Sequence, residues 1–182
     1  MKFDTSTYLK HLNGQAFGNN ILYLKETPST NDAVWNKINN HHIIVITDKQ
    51  TNGRGRRENK WFSVELKSLT FSIGIVDERK KINLLPLIAS LATCKSIEKI
   101  CSITTKIKWP NDILIDNKKI AGILIESKIN KSNIIFNVGI GINVNLNEND
   151  IKYSSLTGVS SMLIETRKIC SREYLLSEIV KS

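Results

Sequence analysis

The order of the apolar segments predicts an α+β domain built on a mixed, mostly antiparallel sheet that is flanked by helices. Apolar runs of strand length alternate with short polar turns between residues 105 and 143, a spacing typical of antiparallel hairpins. A helical pattern separates these runs from an earlier group of strands, and two more helical patterns follow them. The 182 residues, 41% of them hydrophobic, give the chain the length and composition of a single globular domain.

The first third of the chain predicts two strands joined through a helix. Residues 21–25 have the apolar character of a short strand. Residues 29–31 (Ser-Thr-Asn) supply N-cap side chains for a helix whose apolar positions continue to Ile38. Residues 42–47 form a continuous apolar run, which predicts a strand buried on both faces.

A polar loop, a third strand and a long helix follow. Residues 48–60 are polar and contain glycine, so we expect a loop there. Apolar residues alternate with smaller or polar ones over 68–76, which predicts a half-buried strand. Residues 83–100 predict a helix with Pro86 in its first turn and with an apolar stripe formed by Leu84, Leu87, Ile88, Leu91 and Cys94.

The remaining segments predict four strands and then two helices. Pro-Asn-Asp and Asn-Lys sequences are turn formers, and they separate the first three of these strands. The predicted strands span 105–109, 113–116, 119–127 and 133–143, and the predicted helices span 156–166 and 171–180.

Composition excludes several classes of protein. Three cysteines (Cys94, Cys101 and Cys170), without a C-x-x-C pair, argue against a disulfide-rich secreted domain and against a zinc site. No apolar run approaches the ~20 residues that span a bilayer. The first fifteen residues lack the apolar core of a signal peptide, so we expect a cytoplasmic protein without a membrane segment.

The net charge of +9 has two interpretations. A lysine-rich composition can raise the charge without any partner, whereas a functional excess would serve an anionic ligand. Three of the six arginines (Arg54, Arg56 and Arg57) fall within four residues. Since lysine would supply charge alone, this clustering indicates a need for guanidinium groups.

The segment 50–63 predicts a nucleotide-binding loop. Gly53 and Gly55 permit backbone shapes in which successive N–H groups line a concavity for an anion. Arg56 and Arg57 can fork onto phosphate oxygens, and Trp61 offers an apolar face that can stack on a base. The alternative is an exposed basic loop of the kind found in RNA-binding proteins.

The segment 106–126 combines a hairpin turn with charged side chains. Lys108, Asn111 and Asp112 lie at a predicted strand end, where they either form the turn or face a pocket. Strict alternation would put Lys119 on the same face as Ala121 and Ile123, and a lysine among apolar residues is costly unless it meets an anion. Gly122 would let a ligand approach the backbone.

The segment 138–145 places Gly139 and Gly141 on one face of a strand and Ile140 and Ile142 on the other. Two glycines on one face indicate that another group packs against bare backbone. A tightly packed or bulged strand explains them equally well.

Four motifs resemble those of biotin protein ligase, biotin–[acetyl-CoA-carboxylase] ligase. The family pattern of GRGRRGR-x-W, KWPND, K-x-x-GIL-x-E and G-x-G-x-N is matched in order by residues 53–61, 108–112, 119–126 and 139–143. The triplet at 29–31 and Gln50 match as well. The resemblance implies the fold shared with class II aminoacyl-tRNA synthetases. It implies one catalytic domain over 1–182, without an N-terminal helix-turn-helix domain and without the small C-terminal β-barrel.

The resemblance also implies which residues form the site. Catalysis would fall to Arg54, Arg56, Lys119 and Asp112. Biotin would contact Ser29, Thr30, Asn31, Gln50, Gly53, Arg54, Gly55, Arg56, Lys119, Gly122 and Gly139, with apolar strands 120–125 and 138–142 beside its ring. ATP would contact Arg54, Arg56, Arg57, Trp61, Lys108, Asn111, Asp112, Lys119 and Asn143. No residue is expected to ligate a metal directly.

The chain departs from the family pattern inside the loop. Glu58 and Asn59 stand where the family has Gly and Arg. The change removes one phosphate contact and stiffens the loop, so we expect weaker ATP binding or leakage of the activated intermediate.

The implied reaction joins biotin to a protein in two steps. Biotin and ATP, with Mg²⁺, form biotinyl-5′-AMP, and a lysine of a biotin carboxyl carrier protein then takes the biotin. We expect no sequence-specific DNA binding, and the oligomeric state, including a homodimer, is open. Two alternatives are a lipoate–protein ligase of the same fold and a basic RNA-binding module.

Overall fold

A computed structural model describes residues 1–39, 41–57, 59–77, 84–130, 133–154 and 156–182. Its strands are β1 (Ile21–Thr27), β2 (Ile43–Gln50), β3 (Ser68–Asp77), β4 (Lys106–Lys108), β5 (Asp112–Ile115), β6 (Lys118–Asn130) and β7 (Asn133–Asn143). Its helices are α1 (Thr5–Leu12), α2 (Thr30–Lys37), α3 (Leu85–Cys101), α4 (Glu148–Ser154), α5 (Met162–Thr166) and α6 (Arg172–Lys181). Among these described helices, none combines the length and apolar character needed to cross a membrane.

The seven described strands form one sheet in the order β1-β2-β3-β7-β6-β5-β4. Strands β1 and β2 are parallel and are connected through α2, and the other neighbouring pairs are antiparallel. The predicted mixed, mostly antiparallel sheet flanked by helices is therefore confirmed.

The two faces of the sheet have different coverings. One face, here called the core face, carries apolar side chains such as Phe71 and Ile140, and α1, α3 and α6 contribute to the same hydrophobic core. On the opposite face, here called the site face, α2 packs Val34 against Ile43 and Val45. This helix covers β2, β3 and the part of β7 around Gly139, so the site face of β5, β6 and the rest of β7 remains for other groups.

Strand β3 is buried on both faces over its first seven residues, so the prediction of a half-buried strand is wrong. Its polar residue Ser72 faces α2 rather than solvent. The Ser72 hydroxyl lies 2.7 Å from Thr30 Oγ1 and 2.6 Å from Asn31 Oδ1. A small polar residue between apolar residues of β3 thus indicates a contact with a helix, because the small side chain of Ser72 lets α2 approach the sheet closely.

Two other predicted elements differ from the structure, and one helix was not predicted. Helix α1 was not expected from its polar sequence, yet Asp4 caps it and Tyr8 and Leu12 are buried. The loop after β2 begins at residue 51 rather than 48, since the strand continues to Gln50. The predicted helix 156–166 is helical only over α5, where Ser161 caps the first turn, and α4 precedes it.

Helix α3 is present, and Cys94 of its predicted apolar stripe is buried, but the other four residues of the stripe are not. Leu84, Leu87, Ile88 and Leu91 are exposed. The helix instead buries a face of smaller residues, including Ala89 and Thr93, which allow closer packing than leucine would. Residue 83, where we expected the helix to start, lies outside the described residues.

A β-bulge in β6 corrects the predicted face of Lys119. Ile113 pairs with Ala121, but Leu114 pairs with Lys119, so Ile120 is an extra residue in β6. Because of this insertion, Lys119 lies on the side of Gly122 and not with Ala121, which is buried in the core. The prediction that Lys119 shares a face with Ala121 is therefore wrong, because one inserted residue, Ile120, interrupts the alternation of side chains.

A buried ion pair joins the chain ends to the sheet. Arg172 of α6 lies 2.8 Å from Asp48 of β2, and their side chains are only 4% and 2% exposed. Asp48 also accepts hydrogen bonds from the backbone N–H of Phe3 and, at 2.7 Å, from the Tyr23 hydroxyl. One carboxylate thus holds together the N-terminal segment, β1, β2 and α6.

We expect Asp48→Asn to lower the free energy of unfolding by about 3–5 kcal/mol, because it leaves the buried Arg172 guanidinium without a counter-ion. Urea denaturation followed by circular dichroism measures this loss. Glu26→Gln, at an exposed ion pair with Lys49, is the matched control and should cost less than about 1 kcal/mol. Equal losses in the two variants would contradict the assignment.

Candidate active site

A cavity of about 340 Å³ opens on the site face of the sheet. Its wall is formed by the start of α2, the end of β2, the loop after β2, and the backbone of β6 and β7. The turn between β4 and β5 closes another side through Pro110 and Asn111. Segments distant in sequence therefore converge on one space.

The structure brings together all but three of the predicted site residues. The cavity wall contains Ser29, Thr30, Asn31, Gln50, Arg54, Gly55, Arg56, Arg57, Trp61, Asn111, Asp112, Lys119, Gly122 and Gly139. Gly53, Lys108 and Asn143 do not line it.

The three other predicted residues have different positions. Gly53 is buried beside Gln50 and Trp61, and its carbonyl accepts the N–H of Trp61 at 2.9 Å. Lys108 is exposed at the end of β4. The Asn143 amide is buried and donates to the carbonyl of Ser160 at 2.9 Å. The ligand contacts expected of these residues stay predictions.

One end of the cavity is polar and uncharged. The Oε1 atom of Gln50 accepts the Thr30 backbone N–H at 2.9 Å, which fixes the amide of Gln50 at the start of α2. Ser29 is the N-cap residue, but its side chain makes no capping hydrogen bond. Hydroxyl and amide groups from Ser29, Thr30 and Gln50 thus form a cradle for a neutral ligand with donors and acceptors of its own.

The floor of the cavity is bare backbone. Gly122 and Gly141 are partners across β6 and β7, and the Trp61 ring lies on both: a Cβ atom at Gly141 would overlap the indole. A Cβ atom at Gly139 would likewise overlap the Asn31 amide. The sequence prediction that other groups pack against these glycines is confirmed, and the groups are Trp61 and Asn31.

The other end of the cavity is cationic. Lys119 Nζ lies 2.7 Å from Asp112 Oδ1 and 5.6 Å from the centre of a Trp61 ring. Arg56 reaches across from the loop, with its guanidinium 3.4 Å from the Asn111 side-chain oxygen. Arg57 also lines the wall. One carboxylate faces these cations, so this end would attract anions.

The backbone of Lys119 is held from both sides. Its N–H donates to the Gly158 carbonyl at 2.8 Å, and its carbonyl accepts the Ser160 N–H at 2.9 Å. The Asn143 side-chain amide donates a hydrogen bond to the backbone carbonyl of the same Ser160. The segment 158–160 therefore fixes the position of the lysine, and the bulge turns its side chain into the cavity.

Arg54 lines the cavity, but its guanidinium is committed to carboxylates. Nη1 and Nη2 lie 2.9 and 3.1 Å from the two oxygens of Glu126, and Nη2 lies 2.9 Å from Asp32. Burial alone would raise the pKa of Glu126, but hydrogen bonds from Arg54, Asn31 and Trp35 outweigh it and hold this pKa below its usual value.

Sequence reasoning missed several lining residues. Thr70 is buried in β3 with its hydroxyl unpaired, and it lies opposite Gly141 on the site face. Lys60 adds another cation to the loop side of the cavity. The partnership of Arg54 and Glu126 was also missed, although an acidic residue ending an apolar strand segment is a signal that could have been followed.

The two loop departures have different outcomes. Glu58 lies outside the described residues. Asn59 closes the tip of the loop, because its carbonyl accepts the Gly55 N–H at 2.7 Å and its own N–H donates to the Arg56 carbonyl at 3.1 Å. Arg57 adopts a left-handed conformation in the same turn. The expected effects of these departures on binding stay predictions.

Within the described ranges, no group of three or more histidine, cysteine, aspartate or glutamate side chains could hold a metal ion. Asp112 is the carboxylate among the described lining residues. A metal ion at this site would therefore be coordinated mainly by oxygen atoms of a molecule bound in the cavity.

Comparison with known proteins decides the family. The model of the "Biotin/lipoate A/B protein ligase family" matches residues 23–145, which span β1 to the end of β7. The chain belongs to this family. Its site motifs fall within the match, and the resemblance noted from the sequence is confirmed.

Relatives with curated descriptions are ligases of the biotin branch of this family. "Bifunctional ligase/repressor BirA" of Bacillus subtilis is 37% identical over 145 residues, covering 76% of this chain and 45% of that protein. "Biotin--[acetyl-CoA-carboxylase] ligase" of Mycobacterium tuberculosis is 30% identical over 143 residues, covering 75% of this chain and 52% of that protein. The chain thus spans about half the length of these curated relatives.

A solved structure shows the same fold. The biotin protein ligase from Aquifex aeolicus in complex with biotin and ATP superimposes with a TM-score of 0.75 and 33% sequence identity, covering 89% of this chain and 67% of that one. The similarity confirms the predicted fold class, since it extends over nearly all of the chain.

The close contact between Gly141 and the Trp61 ring leads to a prediction about stability. We expect Gly141→Ala to lower the free energy of unfolding by about 1–3 kcal/mol, because the new methyl group meets the Trp61 ring. In a Trp61→Ala background the same substitution should cost less than about 0.5 kcal/mol, because the obstructing ring is absent. Urea denaturation of the four proteins measures this coupling, and equal costs in both backgrounds would contradict the contact.

Proposed function

We propose that this protein is a biotin–protein ligase that activates biotin with ATP and transfers it to a lysine of a biotin carboxyl carrier protein. The proposal covers the activity, the substrates and the partner. Family membership supports it, as do relatives whose own descriptions name them biotin ligases.

The observation that carries the proposal is the division of the cavity into two chemically different ends. A neutral cradle of Ser29, Thr30 and Gln50 lines the cavity at the start of α2, and the cations Arg56 and Lys119 line it beside Asn111 and Asp112. Biotin has a neutral ureido head and a carboxylate tail. The cradle suits the head, and the cations suit the tail together with a triphosphate.

The first step needs cations rather than a base. The biotin carboxylate is ionised at pH 7, so it can attack directly. Its oxygen bonds to the α-phosphorus of ATP, and pyrophosphate leaves with the electrons of the broken P–O bond. Arg56 and Lys119 offset the repulsion between the two anions and the charge that develops at phosphorus. Holding both reactants in one cavity supplies much of the remaining acceleration.

In this proposal ATP enters as its Mg²⁺ complex. Mg²⁺ is commonly held by substrate phosphates and water with only one or two carboxylates, which fits a wall whose described carboxylate is Asp112. The remaining predicted nucleotide contacts, Arg57, Trp61, Asn111, Lys108 and Asn143, belong to the proposal.

The second step transfers biotin to an amine. A neutral lysine amine attacks the carbonyl carbon of the adenylate, AMP leaves, and the amine loses a proton. We assign the acceptor role to Asp112, whose carboxylate lies in the cavity wall. The loop 51–60 would close over the adenylate and keep water from hydrolysing it.

The setting of the enzyme is part of the proposal. The carrier protein would dock where the cavity opens, and we place the reaction in the cytoplasm. The three cysteines are free and buried, which suits a reducing compartment.

The RNA-binding alternative has less support. Phe71, the aromatic residue of β3, is fully buried. Among the described residues, the exposed aromatic side chains Phe17, Phe62, Trp109 and Tyr153 lie on four separate segments and none lies on a strand, so they do not form a stacking platform on the sheet.

The test is incubation of the purified chain with biotin, MgATP and a carrier domain, followed by mass spectrometry of the carrier. We expect biotin on one lysine, with no adduct when ATP is omitted. Lipoate in place of biotin should give little product, and isothermal titration with the two acids should show tighter binding of biotin. Efficient transfer of lipoate alone would overturn the proposal in favour of a lipoate ligase.

We expect Lys119→Ala to lower the rate of biotin-dependent pyrophosphate release by about 100-fold or more, because one cation at the reacting phosphate is lost. The neighbouring Lys118→Ala is the matched control, since Lys118 is exposed and pairs with Glu165. A normal rate in Lys119→Ala would refute the assigned role.

We expect Arg56→Gly to release biotinyl-adenylate, because the loop loses its contact with Asn111 across the cavity. Free adenylate acylates lysines at random, so labelling of a bystander protein should rise above the wild-type level. Biotin blots of serum albumin added to the reaction measure this. Labelling that stays at the wild-type level would count against closure by this arginine.

A further inference from the structure

The guanidinium of Arg54 borders the cavity, but it forms ion pairs with two carboxylates, Glu126 and Asp32. Two of its nitrogens form a fork onto both oxygens of Glu126, at 2.9 and 3.1 Å. Asp32 at the first turn of α2 adds a third contact at 2.9 Å. A bidentate pair of this kind is geometrically specific and stronger than a single contact.

Glu126 is itself held in place. Its Oε2 atom also accepts the side-chain amide of Asn31 at 3.0 Å and the indole N–H of Trp35 at 3.2 Å. Its carboxylate side chain is 27% exposed, against 38% for Arg54. The carboxylate thus joins β6 to the start of α2 and has the loop arginine as its counter-ion.

The loop that carries Arg54 is a small hairpin. The Trp61 N–H donates to the Gly53 carbonyl at 2.9 Å, and Arg54 forms a bridge with Lys60. The Gly55 N–H donates to the Asn59 carbonyl at 2.7 Å, which closes the tip. Because the two arms are paired, fixing Arg54 at the base fixes the direction in which Arg56 points.

We infer that Arg54 is a positioning residue, which anchors the loop to Glu126 and Asp32 and so aims Arg56 at the cationic end of the cavity. In this assignment Arg54 does not contact a phosphate, contrary to the sequence-based expectation. The inference rests on the proposed function only for its consequence in catalysis, since the anchor itself is a property of the unliganded chain.

The anchor also connects the two ends of the cavity. Asn31 packs on Gly139 beside the neutral cradle, and it shares Glu126 with Arg54. The position of the loop over the cationic end is therefore set by the same carboxylate that orients a residue near the neutral end.

Limited digestion by trypsin tests the anchor without any substrate. Glu126→Gln keeps every cleavage site but removes the charge of the fork, so we expect cleavage after Arg56, Arg57 and Lys60 to become about tenfold faster. Arg54→Lys, which keeps a charge and a cleavage site but has no fork, should act in the same direction. Mass spectrometry identifies each cut.

Glu178→Gln is the matched control for digestion. Glu178 is a carboxylate that likewise forms ion pairs, with Lys99 and Lys181, but it belongs to α6. Loop cleavage in this variant should stay at the wild-type rate. Unchanged loop cleavage in Glu126→Gln, or a rise that is equal at sites throughout the chain, would overturn the inference.

Kinetics of biotin-dependent ATP–pyrophosphate exchange separate the anchor from a ligand contact. If Arg54 positions the loop, Glu126→Gln, Arg54→Ala and the double variant should all raise KM and lower kcat/KM by a similar factor, about tenfold, because each breaks the same link. If Arg54 instead binds phosphate, Glu126→Gln alone should retain wild-type exchange while Arg54→Ala loses it, which would overturn the inference. Absence of exchange in the wild-type chain would sink the proposed function and leave the digestion result to decide the anchor.

Discussion

The site depends on the absence of side chains from one patch of the sheet. Gly122, Gly139 and Gly141 present backbone where any other residue would place a methyl group. Helix α2 can therefore bring Asn31 onto β7, and the loop can lay Trp61 across β6 and β7. The cavity has its shape against the sheet because these approaches are shorter than a side chain would allow.

The positive charges of the protein are distinguished by the partners of each side chain. The lysine and arginine side chains of this protein differ in how tightly their partners hold them. Arg172 is buried with Asp48 and stabilises the fold, whereas Arg54 is bound by Glu126 and Asp32. Arg56 and Lys119 have weaker or shared partners and face the open space. A net charge of +9 therefore does not describe the site; the partners of each cation do.

Much of the fold could be predicted, because period and turn chemistry are local properties. Strand β7 and helix α6 lie within a residue of their expected bounds. The failures have a common cause in packing between elements. The leucine stripe of α3 is exposed and Ser72 is buried, and both results follow from which neighbour covers each face. The cavity residues were found through spacing and family motifs. The commitment of Arg54 to Glu126 was not, since a pairing between residues 72 positions apart leaves no local pattern.

The bulge at Ile120 determines which face of the sheet the Lys119 side chain occupies. In a regular ladder, the side chain of Lys119 would enter the hydrophobic core, and the cationic end would lose its ammonium group although the sequence still contained the lysine. The lysine therefore reaches the cavity because the bulge absorbs Ile120; without Ile120, Lys119 would lie two positions before Gly122 and would face the cavity with no bulge. A comparison of family members that aligns only the lysine would overlook this, because the spacing to Gly122 and the bulge together determine which face of the sheet the lysine side chain occupies.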